Sequence, residues 1–130
     1  MQCVPTRNIS GFQEGLWQGD VAEVFLLSND PSGYVEYNFA AGGAWWAASF
    51  SGPRKLSKEL PDSVQIVETG LDDASWWIRT RLLNVDCDEP IVGNVCGILG
   101  AKPRRYITLF PLSEEIDFHR PGYFKPLYNV

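Results

Sequence analysis

"LWQGDVAEVFLLSNDPSGYVEYNFAAGGAWWAASFSGPR", residues 16–54, reads as three strands joined by tight turns. Residues 21–27 are rich in Val, Phe and Leu, and they run into Ser-Asn-Asp-Pro-Ser-Gly, which supplies the Pro and Gly of a turn. Residues 34–39 alternate, with Val35, Tyr37 and Phe39 on one face and Tyr34, Glu36 and Asn38 on the other. Ala-Ala-Gly-Gly makes the next turn, and residues 44–50 form a third strand with Trp46, Ala48 and Phe50 on one side. The three make an antiparallel meander with short connections.

Outward from this meander, residues 51–62 are polar and hold two prolines, so they read as a loop with room for one helical turn. Residues 63–68 and 76–82 read as two further strands around an Asp72-Asp73-Ala74 turn, and 92–99 and 106–110 as two more. The segment from Pro111 onward is punctuated by prolines and reads as irregular. Roughly seven short strands without a helical period predict an all-β, antiparallel β-sandwich. At 130 residues the chain is expected to form a single domain with a core that needs neither metal nor disulfide.

The net charge of −5 and the lack of a long basic run argue against nucleic acid as a partner. The basic clusters at Arg54-Lys55 and Lys102 to Arg105, both beside proline, read as loop charges. Cys3, Cys87 and Cys96 are odd in number and form no CxxC, so reduced thiols are expected and a zinc site is not, although a Cys87–Cys96 bridge stays open. No apolar run is long enough for a membrane span, and the first ten residues lack the apolar core of a signal peptide. The expected location is therefore cytoplasmic, and the Asn8-Ile9-Ser10 sequon reads as chance.

Acids placed inside strands are the unusual feature. With Leu27 opposite Tyr34, the register sets Glu23 against Asn38 and Phe25 against Glu36. Glu23, Glu36 and Asn38 then share one sheet face; a slip of one residue would scatter them. The following turn brings Trp45 or Trp46 beside Asn38, depending on its length. Carboxylates accept strong hydrogen bonds from hydroxyls, and an indole offers a flat face to the C–H side of a sugar ring. The competing reading is a solvated outer face, with Trp in the core.

Catalysis is not expected. His119 is the single histidine and reads as a locally hydrogen-bonded loop residue, and no GxSxG motif occurs. Glu114-Glu115 and the acids Asp86, Asp88 and Glu89 read as solvated charges; the latter lack the glycine and final acid of a calcium loop.

The blocks "LWQGDVAEVFL" and "GYVEYNFAAGGAWWAASFSGPR", with "NVCGILGAKPRRYITLFPL" and "DFHRPGYFKPL" after them, resemble bacterial DOMON-like proteins related to carbohydrate-binding module family 9. The resemblance runs from about Leu16 onward. It implies a β-sandwich of immunoglobulin-like or jelly-roll-like kind that binds sugar or, in other branches, haem. Carried over, Trp17 is the stacking platform and Glu23 the hydroxyl acceptor. A second stacking Trp has no counterpart, since no Trp follows Trp77. The haem branch uses a Met and a His; this chain offers only Met1 and His119, so no cofactor is expected.

The family also places one or two strands before the Leu-Trp motif, where this chain has fifteen residues poor in strand signal. Either the sandwich is a short variant lacking N-terminal strands or the chain begins upstream. A sandwich short of those strands would expose an edge and admit a homodimer. The expectation is a non-catalytic binder of carbohydrate or another small polar ligand, using Trp17, Glu23, Glu36, Asn38 and Trp45. The alternative is a structural or interaction domain in which Glu23 is satisfied by backbone N–H groups or by Arg79 or Arg81.

Overall fold

A computed structural model describes residues 10–28, 33–86, 88–100, 103–112 and 117–128. The described residues are all-β, a β-sandwich of one large sheet and one hairpin. The strands are β1 (Gly11–Phe12), β2 (Val21–Leu27), β3 (Tyr34–Phe39), β4 (Ala44–Gly52), β5 (Lys55–Glu59), β6 (Val64–Leu71), β7 (Trp76–Leu82), β8 (Ile91–Leu99), β9 (Arg105–Thr108) and β10 (Lys125–Tyr128). The large sheet runs β1-β4-β3-β2-β8-β10, with β5 added to β4 and β9 to β8; β6 and β7 form the second sheet. Among the described strands, the short β1 is the exception to antiparallel pairing, lying parallel to β4.

The meander forms with the register its side-chain pattern favours. Leu27 pairs with Tyr34, Phe25 with Glu36 and Glu23 with Asn38. Period-two alternation then gives β2 to β4 two different faces. Leu26, Tyr37, Phe39, Trp45 and Ala47 face the hairpin, where Val64 is buried and Ile66, Ile78 and Leu82 pack against the cluster. The register shift between Ile66 and Glu68 is a bulge that leaves Val67 half exposed and sets Glu68 opposite Arg79. The opposite face carries Val21, Phe25, Tyr34, Trp46, Ala48 and Phe50, joined by Cys96 and Ile98 of β8. Leu16, Phe118 and Phe124 cover it from segments outside the meander. Phe25 and Tyr34 are wholly buried there, each contributing roughly 2–3 kcal/mol by removal from water.

Two segments differ from the sequence reading. Residues 55–59 are not a loop with a helical turn but strand β5, paired along β4 from Gly52↔Lys55 to Ala48↔Glu59. All five of its residues are exposed, so it has no buried face to produce an apolar alternation. Its charges suit an edge strand, because they oppose pairing with another chain. The C-terminal segment is likewise not wholly irregular: β10 pairs with β8 through Lys125↔Gly93 and Pro126↔Val92. A proline, which has no N–H to donate, is tolerated at a sheet edge. Only the tertiary fold brings β8 to that edge.

Two polar residues serve the fold. Asp20, fully buried, accepts the Gly100 N–H at 2.8 Å. Asn94 accepts the N–H groups of Val95 (2.9 Å) and Phe110 (3.0 Å), and its amide nitrogen donates to Thr108 Oγ1 (2.9 Å) and the Phe110 carbonyl (3.2 Å). It thereby ties β8 to β9 and the segment that follows. Cys96 is a free, buried thiol, pushed up to about 12 mainly by burial. Cys3, Cys87 and the asparagine of the sequon lie outside the described residues. No helix among the described residues is long and apolar enough to cross a membrane.

Candidate functional site

On the sheet face opposite the hairpin lies a cavity of about 440 Å³. Strands β2, β3 and β4 form its floor, presenting Glu23, Glu36, Asn38, Trp46 and Phe50. These side chains converge because all sit at the same parity of paired strands. Trp17 and Glu14 reach the cavity from the segment before β2, Arg54 from the β4–β5 turn, Tyr106 from β9, and Phe118 and His119 from the C-terminal segment.

Trp17 owes its position to a short 3₁₀ turn, Leu16–Gln18, entered through Gly15 at φ 87°. That left-handed conformation carries no steric penalty for glycine. Successive residues of a 3₁₀ turn point about 120° apart, so Leu16 enters the core while Trp17 remains 54% exposed beside the cavity. The Arg104 guanidinium holds the turn by donating to the carbonyls of Trp17 (2.6 Å), Gln18 (3.2 Å) and Gly19 (3.3 Å).

The structure brings Trp17, Glu23, Glu36 and Asn38 to one cavity but leaves Trp45 out. Asn38 pairs with Trp46, and Phe39 with Trp45, so Trp45 belongs to the hairpin face, where it meets Phe12 edge-on at 5.0 Å. The turn after Phe39 fixes this parity, and residue types alone do not reveal it. Trp46 takes the place expected of Trp45. Its Nε1–H donates to Glu59 Oε2 at 3.1 Å. Arg79 and Arg81 are also placed elsewhere: on the hairpin, Arg79 pairs with Glu68 at 3.0 Å and Arg81 donates to Gln65 at 3.4 Å. The arginine charges felt by Glu23 are those of Arg54 and Arg104.

Glu23 and Glu36 are each only 5% exposed. Burial raises Glu23 to about 7, with Arg54 and Arg104 opposing the rise. Burial raises Glu36 to about 8; the nearby charge of Glu23 adds to this, while a hydrogen bond from Asn38 and the charge of Arg54 oppose it. The Asn38 amide, oriented so that its nitrogen meets acceptors, donates to Glu23 Oε2 (3.3 Å) and the Tyr37 carbonyl (3.2 Å). Near neutrality Glu36 is therefore mainly protonated and Glu23 about half so, and a protonated carboxyl can donate a hydrogen bond as well as accept one.

His119 is not a locally bonded loop histidine. The Tyr34 hydroxyl accepts the Arg54 backbone N–H at 3.1 Å and shares a hydrogen bond with His119 Nδ1 at 2.6 Å, the ring's tautomer setting which of the two donates. His119 Nε2 lies 3.7 Å from Glu36 Oε1. Burial, helped by Arg54 and opposed by Asp117, lowers His119 to about 4, which keeps the ring neutral. The Arg54 guanidinium bonds Asp117 at 2.9 Å. Among the described residues, no three of His, Cys, Asp and Glu gather as a metal site.

Sequence reasoning missed His119, Tyr106, Phe118 and Arg54 because each arrives by a long-range contact. Phe50 was accessible to it, since it shares the parity of Trp46. In chemical terms the cavity joins aromatic surface, two protonatable carboxyls and an amide in a volume within the ~300–1,000 Å³ range of small-molecule sites. No family model, curated protein or solved structure matches the chain.

Proposed function

We propose that the protein is a non-catalytic binding domain for a small polar ligand, with carbohydrate the best-fitting class. One observation carries this reading: Glu23, Glu36 and Asn38, all buried, line the same cavity as the Trp17 indole. Burying two carboxyls costs stability unless something compensates, and a fold requiring only a packed core would place apolar side chains there. In this reading Trp17 stacks on the ring, Trp46 and Phe50 form the apolar wall, and Glu23, Glu36 and Asn38 bind hydroxyls. The resemblance to carbohydrate-binding module family 9 supports the assignment of Trp17 and Glu23. Affinity from one exposed platform is on the order of 10 μM to 1 mM, since few contacts must offset the entropy of association.

The test is intrinsic tryptophan fluorescence against a panel of mono- and disaccharides, with Trp17→Ala and Glu23→Gln. Binding that is lost in both variants at an unchanged melting temperature is the expected result. A flat response to every sugar, or variants that unfold while the wild type binds nothing, would transfer the protein to the structural and interaction class.

A further inference from the structure

Resting on the carbohydrate reading, we infer that the ligand carries an ammonium group beside its hydroxyls, and that the cavity recognises an amino sugar in preference to its neutral counterpart. The cavity wall holds three glutamates, Glu14, Glu23 and Glu36, of which the last two are buried. Among the described residues, Arg54 and Arg104 act on these acids through space but give their hydrogen bonds to other groups. The Arg54 guanidinium is ion-paired to Asp117 at 2.9 Å. Arg104 directs its two terminal nitrogens to three carbonyls of the Leu16–Gln18 turn and its neighbour. His119, buried and bonded to the Tyr34 hydroxyl through Nδ1, is a neutral ring.

No cation of the described chain therefore forms an ion pair with Glu23, and Glu36 has only the neutral His119 at 3.7 Å. Cys96 and Tyr34, on the same sheet face, remain protonated because burial raises both. Two buried acids without a directly bonded cation keep their protons or accept a cation from outside. The aromatic lining, Trp17, Phe50 and Tyr106, favours the second choice when a ligand is present, because an aromatic ring attracts positive charge to its face. An ammonium seated among them meets carboxylate and ring faces together. A neutral sugar leaves the acids protonated and gains only hydrogen bonds.

The experiment compares glucosamine, glucose and N-acetylglucosamine by isothermal titration at pH 6, where the amine is an ammonium, on the full chain and on Glu36→Gln and Glu23→Gln. The amine is expected to bind the wild type at least about tenfold more tightly than either neutral sugar. Its ammonium should displace a proton from the acids on binding, read as heats that differ between phosphate and Bis-Tris buffers. The preference should vanish in at least one glutamine variant. Equal affinity for all three sugars in the wild type overturns the inference and leaves the carbohydrate reading standing. A preference retained in both variants, each folded by its melting temperature, also overturns it. If none of the three binds, the carbohydrate reading fails and the inference fails with it.

Discussion

Replacing Glu36 with glutamine should make the protein more stable at pH 8 and flatten its pH dependence. Glu36 titrates near 8 in the folded chain against an ordinary value of 4.5, and Glu23 near 7. Between 4.5 and these values the folded state binds more protons than the unfolded state, so stability falls as pH rises. His119 acts in the opposite sense, since its value drops from 6.5 to about 4. It adds stability with rising pH only up to 6.5. Above 6.5 the carboxyls act unopposed.

From pH 6.5 to 8, Glu36 spans 1.5 pH units at about 1.4 kcal/mol each, a loss of about 2 kcal/mol, and Glu23 adds less than about 1 kcal/mol before its own ionisation is complete. For a domain of this length that corresponds to a melting temperature roughly 6–12 °C lower at pH 8 than at 6.5. Glu36→Gln removes the larger contribution and also the charge that Glu23 would face. Its stability should change by less than about 1 kcal/mol over the same interval. Urea unfolding at half-unit steps from pH 6 to 8.5 measures both proteins. Wild-type stability that is flat or rising between 6.5 and 8 would refute the reasoning, as would an unchanged slope in the variant.

Two further outcomes test the scaffold that presents the site. A Cβ at Gly93 would lie 1.8 Å from the Phe25 carbonyl oxygen, and backbone cannot yield as a side-chain tip can. Gly93→Ala should therefore cost at least about 3 kcal/mol in urea unfolding, and a loss under about 1 kcal/mol would mean that β2 and β8 separate easily. Arg104→Ala frees three carbonyls of the turn that carries Trp17, so it should cost about 1–3 kcal/mol and weaken sugar binding; Arg79→Ala, which breaks an exposed pair with Glu68, should cost less than about 1 kcal/mol. Equal effects from the two arginines would remove the case that Arg104 positions Trp17.

The meander was legible in the amino-acid sequence because its information is local. Alternation marks which residues share a face, turn residues mark where the chain reverses, and a short hairpin leaves little freedom of register. With Leu27 taken opposite Tyr34, they set Glu23 opposite Asn38 and Glu36 opposite Phe25, the register the structure has. They do not extend across the Ala-Ala-Gly-Gly turn, where one residue of parity separates Trp46 in the cavity from Trp45 against the hairpin.

Residues 55–59 and 125–128 escaped for a related reason. A polar edge strand and a proline-bearing edge strand bury too little to show a pattern, and they become strands by pairing with partners already in place. The sequence by itself thus determined an all-β chain with two acids and an amide on one face of its best sheet. Only the tertiary structure decided that this face is roofed. His119, Arg54, Tyr106 and Phe118 reach it from distant segments, and their positions depend on packing, which no local period encodes. The roof is also what withholds water from Glu23 and Glu36, so the chemistry of the two carboxyls arises from the fold and not from their residue type.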